Sequence, residues 1–395
     1  MDSIENELLR CCCISKPYGN VLLEQVQALL RQHPDLDSKK FLSLVDRHRL
    51  IPCVYQNLKE FSPLLSAGLL ASLKEKYAAN TRNMLIFSSE IIRLTRIFKE
   101  HQLNLLSFKG PVLSQQIYGD LACRRSHDID LLVQPEDMVL ADILLKKEGY
   151  QRICPAVELN RRQVAYSLRH EQEFQYWNAE KKILLELHWK LFYLNQKFIE
   201  EGIWENATSI ILGNDEVTVL SKETNILYLC LHGAYHRWFR LFWLRDLAEI
   251  AFRWTDTDWD KMLTFTLKIG VERSLVQGLV LANKYFRSPL PSSILNYYSS
   301  HKNIERLVKQ ADLALNSSEE KYVTRKLAVR INRTIYLTKL QKSRNYKIRV
   351  FNKVRTTPGD WDVIKLPEKL FFLYFILRPF IYFYDAYLRK PNRGA

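Results

Sequence analysis

The sequence predicts an α+β fold, a small mixed-sheet core flanked by N-terminal and C-terminal helical regions. Three observations carry this reading. Apolar residues recur at helical spacing through the first hundred residues, as in Val21-Leu22-Val26-Leu29-Leu30. After Gln102 the period shortens to strand, turn, helix, strand and helix within about 45 residues, the pattern of a small α/β unit. From Ser221 onward the helical period returns. Four regions follow: helices over 1–102, the α/β core over 103–220, a helical domain over 221–320, and a basic and aromatic helical segment over 321–395.

In the first region Ile4-Leu8-Leu9 and Phe41-Leu42-Leu44-Val45 give short amphipathic helices, and Leu64 to Gln102 gives a long one without proline or glycine after Gly68. His48, in Asp46-Arg47-His48-Arg49, reads as a surface residue at a helix end rather than a ligand. Asn104 to Phe108 is a short apolar strand closed by Lys109-Gly110-Pro111, and Val112 to Tyr118 is helical. A helix that starts this way leaves free N–H groups suited to phosphate, and Lys109 adds a charge there.

The central stretch is Ser126-His127-Asp128-Ile129-Asp130-Leu131-Leu132-Val133. Side chains alternate along a strand, so Asp128 and Asp130 share one exposed face while Ile129 and Leu131 point to the core. Two adjacent like charges repel unless a cation sits between them, and a pair of hard oxygens suits Mg²⁺ or Mn²⁺ better than zinc. The plainer alternative is an edge strand with a solvated acidic face. Pro135-Glu136-Asp137 opens an amphipathic helix, Met138 to Lys147, that ends at Gly149. Glu171 to Tyr176 and Lys182 to His188 then pair across a polar turn. Glu186 is the one acid in Ile183-Leu184-Leu185-Glu186-Leu187, a costly position unless it is paired or exposed on an alternating face. A cation shared with Asp128 and Asp130 would satisfy it.

Lys109-Gly110, Arg124-Arg125-Ser126-His127-Asp128-Ile129-Asp130-Leu131-Leu132-Val133 and Glu186-Leu187-His188-Trp189 together resemble the uncharacterised bacterial nucleotidyltransferase family, a branch of the DNA polymerase β-like superfamily. The likeness extends through Leu231-His232-Gly233-Ala234-Tyr235-His236-Arg237-Trp238, Trp243-Leu244-Arg245-Asp246-Leu247 and Leu377-Arg378-Pro379. Members of that family occur near polysaccharide and lasso-peptide biosynthesis genes. The resemblance implies that Asp128, Asp130 and Glu186 are the catalytic and metal-binding acids, holding two Mg²⁺ or Mn²⁺ ions. It implies that Lys109 and Gly110, helped by Arg124 and Ser126, hold a nucleoside triphosphate such as ATP. Two departures stand out: Pro111 follows the glycine where Ser or Gly is usual, removing an N–H donor, and Glu186 replaces the commoner Asp.

Ile210 to Leu220, broken by Gly213-Asn214-Asp215, reads as a hairpin, and Ser221 caps the next helix. His232 and His236 lie four residues apart on one face of it, yet the glutamate of a zinc-protease motif and a third ligand are missing. With Trp238, Arg245 and Asp246 they are placed in the wall of the nucleotide cleft, the alternative being a hydrogen-bonded helix contact. Asp258 to Leu315 is helical, broken at Pro289-Leu290-Pro291.

The formal charge of +15 is concentrated: twelve Lys and Arg and no acid lie between Lys321 and Arg355, leaving 46 basic against 43 acidic residues elsewhere. Leu327, Ile331, Ile335 and Leu340 form an apolar stripe, with the charge on the other face as a solvated surface or a contact for nucleic acid or anionic membrane. Thr356 to Asp360 is a turn. In the aromatic tail the longest uncharged run is eight residues, too short to span a bilayer, so the tail packs back on the helical domain or attaches peripherally. Seven dispersed cysteines without metal-ligand spacing read as reduced thiols in a cytoplasmic protein.

The functional expectation is metal-dependent transfer of a nucleotidyl group from a nucleoside triphosphate to a hydroxyl of a small molecule, sugar, peptide or protein, in natural-product or polysaccharide biosynthesis. The alternatives are a phosphotransferase using the same site, a non-catalytic binding protein, and a toxin-like enzyme modifying tRNA.

Overall fold

The computed structural model describes residues 3–14, 20–192, 202–317, 327–352 and 356–384. Helices α1 (Ile4–Cys11), α2 (Asn20–Gln32), α3 (Ser38–Arg47) and α4 (Ile51–Leu58) precede the long α5 (Ala67–Glu100). Asp37 accepts the N–H groups of Lys39 and Lys40 to start α3, and Ser66 accepts that of Leu69 to start α5. Beyond them come β1 (Leu106–Phe108), α6 (Gly110–Tyr118), β2 (Asp128–Leu132), α7 (Met138–Lys147), β3 (Gln151–Cys154), α8 (Arg161–His170), β4 (Glu173–Asn178), β5 (Ile183–His188), β6 (Thr208–Leu212) and β7 (Asp215–Val219). The strands form one mixed sheet in the order β3-β4-β5-β2-β1-β7-β6. β2 runs parallel to β5 and antiparallel to β1; β1 runs parallel to β7.

Alternation along β2 and β5 gives the sheet two faces. Ile129, Leu131, Leu185 and Leu187 turn one way and are fully buried against Phe87, Ile91, Leu94 and Phe98 of α5 and Met138, Ala141 and Leu145 of α7. Each such side chain gains about 1.5–3 kcal/mol from burial, so a one-residue slip, which would invert all of them, is strongly disfavoured. The opposite face carries the acids, and its remaining residues Leu106, Phe108 and Leu132 merge with a second core. That core is built by α1, α3 and α4 together with the helices Lys222–Tyr235, Leu241–Arg253 and Glu272–Phe286.

Several expectations change in the folded chain. His48 is buried at the end of α3, its Nδ1 accepting the Leu241 N–H at 3.1 Å, because the helical domain closes over that helix end. Trp238, expected in the cleft wall, is a core residue: it lies against Gly233 and Gly278 and donates from Nε1 to Gln277 at 3.1 Å. In helix Leu327–Leu340 the buried side is Tyr336, Leu337 and Leu340, whereas Ile331 and Ile335 are exposed. The ends of the basic segment, 321–326 and 353–355, lie outside the described residues. The Thr356 to Asp360 stretch is no simple turn: Thr357 and Asp360 form a capping box that opens helix Pro358–Val363. Among the described residues the aromatic tail packs against Val157, Leu159 and Tyr166 beside β3 and α8, two elements the sequence reading lacked, and not as expected on the helical domain.

Candidate active site

The parallel pairing of β2 with β5 sets Asp130 directly opposite Glu186 and Asp128 opposite Leu184. Paired residues share a face, so Asp128, Asp130 and Glu186 lie together. The same register sets His188 opposite Leu132, and antiparallel β4 adds Glu173 opposite His188 and Gln175 opposite Glu186. His188 Nδ1 lies 3.2 Å from Glu173 Oε2, while its Nε2 lies 3.3 Å from Asp130 Oδ1 and 3.6 Å from Glu186 Oε2. Gln175 donates to the other oxygen of Glu186 at 3.0 Å. Ser126 Oγ lies 3.0 Å from Asp128 Oδ1 and 3.1 Å from its carbonyl oxygen.

Across from these groups stands the turn between β1 and α6. Lys109 and Gly110 both have positive φ, 59° and 42°, and Pro111 follows in the first turn of the helix. This conformation carries Lys109 Nζ onto Asp130, with Glu186 at 4.0 Å. Phe108 and Tyr228 close the wall, their ring centres 5.2 and 5.5 Å from Lys109 Nζ. A Cβ on Gly110 would stand 3.8 Å from Ser126 Oγ, so the turn and the Asp128 strand are in near contact.

Charge balance is uneven. Asp128, Asp130, Glu173 and Glu186 face the cations of Lys109 and His188. Burial pulls the His188 imidazole down, but Glu173, Asp130 and Glu186 outweigh it and hold the group at about 9. Burial likewise opposes the Lys109 ammonium, and Asp130 with its neighbours holds it well above its ordinary value. Burial pushes the Glu186 carboxyl up, yet His188 and Lys109 bring it below the usual range. Asp128 goes the other way: burial and repulsion from Asp130 and Glu186 raise it.

The donors fit a divalent cation. Asp130 and Glu186 each offer an oxygen and His188, once its proton is displaced, a nitrogen, all within 4.8 Å of one another, and Asp130 Oδ2 is buried without a hydrogen-bond partner among the described residues. Carboxylate oxygens dominate the set, which suits a hard ion.

The other residues singled out in the sequence are placed as follows. Arg124 is buried, giving Nε and Nη2 to Asp246 at 2.9 Å each, and Tyr118 donates to the same carboxylate at 2.7 Å. Arg245 donates to the carbonyls of Cys13 and Cys123, each at 2.8 Å. These contacts, with Asn80 donating to the carbonyls of Ala122 and Arg124, fasten the loop that leads into β2. His232 lies beside Tyr228, Nδ1 to hydroxyl 3.2 Å, and its ring centre is 4.6 Å from that of His236, which stacks on Trp243. His188, Glu173, Gln175 and Tyr228 were not singled out. The strand period could have found His188, two residues after Glu186; Glu173 and Gln175 needed the β4–β5 register.

A mixed sheet that presents clustered acids beside a lysine-bearing strand-to-helix turn has the makings of a transferase site. The chain matches the family described as uncharacterised nucleotidyltransferase over residues 34–287, and it belongs to that family. Its enzyme class is therefore nucleotidyl transfer in general terms. No curated protein matches it.

Proposed function

We propose that the protein transfers a nucleotidyl group from a nucleoside triphosphate to an acceptor hydroxyl, using Asp128, Asp130 and Glu186 to hold Mg²⁺ or Mn²⁺. The observation that carries this is the register that sets Asp130 against Glu186, with Asp128 one step earlier on the same face. Bound there, divalent cations supply the lowered hydroxyl pKa and the charge neutralisation at pyrophosphate that such a transfer needs. The acceptor oxygen forms its bond to the α-phosphorus, the bond to the bridging oxygen breaks, and pyrophosphate leaves with its electron pair. Glu186 takes the hydroxyl proton. Lys109 moves from Asp130 to the triphosphate, which Gly110 and Ser126 approach through the turn.

Arg124, Arg245 and Asp246, spent on one another and on backbone carbonyls, act in this reading by fixing the loop before β2 rather than by touching the nucleotide. His232 and His236 back Tyr228 and form the base or acceptor side. The acceptor is a hydroxyl of a small molecule, sugar, peptide or protein, and ATP is the first donor to try.

The test is incubation with Mg²⁺, each triphosphate labelled at the α or the γ phosphorus, and cell extract as acceptor source, followed by mass spectrometry of labelled products. The reading predicts α label in product and free pyrophosphate. γ label in product would instead make the site a phosphotransferase, and no label in any product would leave a binding protein.

A further inference from the structure

The helix Leu373–Phe383 has two apolar sides, and one of them packs on α8 and the segment before it. Tyr374 and Ile381, with Phe371 and Trp361, pack against Val157, Leu159 and Tyr166. Arg378 is paired with Asp360. The other side carries Ile376 and Phe380, with Phe372 just ahead of the helix; they are 60%, 72% and 53% exposed. Their spacing of four and four residues makes one continuous stripe along the helix. From Leu370 to Tyr384 there is no Asp or Glu that would repel an anionic surface. An apolar surface of this kind on a folded chain marks a contact with a partner or a bilayer.

We propose that this stripe is a lipid-contact surface, with which the helix lies flat in the interface of a membrane bearing anionic headgroups. Charge decides for lipid. Lys365 and Lys369 are exposed just before the helix, with one exposed acid, Glu368, between them. The exposed Arg169 lies about one turn past Tyr166 on α8, and the exposed Arg162, about one turn before it, pairs with Glu368 at 3.9 Å. Tyr166 itself touches the tail at Phe371 and Phe375, with ring centres 5.4 and 6.1 Å away. Beyond the helix the sequence adds Arg389, Lys390 and Arg393 against the single acid Asp385. An aromatic stripe flanked by cations meets both requirements of an anionic interface, apolar depth and headgroup charge. Exposed Tyr384 suits the headgroup level, as tyrosine does at membrane interfaces. No helix among the described residues is long and apolar enough to cross a membrane, so the contact is with one leaflet. The proposal does not depend on the reaction assigned to the carboxylate site.

Flotation of the full chain with phosphatidylcholine vesicles, with and without roughly one part in three phosphatidylglycerol, tests it. The protein should float with the anionic vesicles, and added salt should weaken this. The double variant Ile376→Ser/Phe380→Ser, changed only at exposed positions, should keep its melting curve and lose flotation by at least about tenfold. Lys365→Glu/Lys369→Glu should reduce flotation to anionic vesicles while leaving the weak binding to neutral vesicles unchanged. Protein that stays at the bottom with anionic vesicles would overturn the proposal, as would variants that float like the parent. So would a dimer, seen by light scattering, that the Ile376→Ser/Phe380→Ser change splits into monomers, since the stripe would then be a contact between copies.

Discussion

Asp130 is the residue on which the site turns. Lys109 and His188 both reach its Oδ1, while Oδ2 is buried and bare among the described residues. Asp128 lies at the same face but is half-buried, so it can be altered with less disturbance of the core. Asp128→Asn should lower Mg²⁺-dependent turnover by more than about 100-fold, the upper figure for changing an outer-shell partner of a metal, with an unchanged thermal melt. Turnover close to the parent's would reject its role as a ligand. Glu173→Gln keeps the shape of the group that orients His188 and should cost about 10–100-fold in activity or metal affinity; an unchanged rate would make Glu173 a bystander. Away from the site, burial first and then Arg47 and Arg240 pull the His48 pKa from 6.5 down to about 3. The folded chain then refuses a proton that the unfolded chain accepts. Its contribution is whole above pH 6.5 and is lost as pH falls toward 3, about 2 kcal/mol of it by pH 5. His48→Gln can still accept the Leu241 N–H but does not titrate, so urea unfolding between pH 7 and 5 should show a shallower decline in the variant. Equal slopes would contradict this.

Individual elements show what could be read in the sequence and what could not. Met138–Lys147 spans the residues its period marks, with Gly149 at positive φ just past its end, and Ser221 accepts the Thr224 N–H as an N-cap should. Asp128 and Asp130 share a face because β2 is a strand, and the one acid of β5 meets them. His188 and Glu173 depend on which strands are neighbours, information that one strand's pattern does not contain. β3, Gln151 to Cys154, escaped because it is short, carries Arg152, and lies at the sheet edge, where its side chains alternate only between exposed and half-buried. Trp238 was misplaced because an aromatic next to histidines suggests a cleft, whereas its ring fills the space left by two helical glycines. A Cβ at Gly233 would lie 2.3 Å from that ring. Gly233→Ala should therefore destabilise the helical domain by about 1–3 kcal/mol, the usual cost of overpacking, and lower the melting temperature. An unchanged melt would show that Trp238 has room to move.

At the scale of the whole molecule, one face of the sheet makes a core with α5 and α7, and the other joins the helical core through Leu106, Phe108 and Leu132. The acids occupy the part of that second face bounded by the Lys109 turn and Tyr228. Such a place is half-buried, which raises the cost of unbalanced charge and gives a divalent cation more to gain than it would at an open surface. The excess of basic residues lies elsewhere in the chain, between Lys321 and Arg355, so net charge alone said nothing about this acidic site. The most direct measurement is a Mn²⁺ titration of the whole protein followed by electron paramagnetic resonance, beside the Asp128→Asn/Glu186→Gln variant. Saturable Mn²⁺ binding is expected, competed away by Mg²⁺ and lost in the variant. Equal binding by parent and variant, or none by the parent, would contradict it.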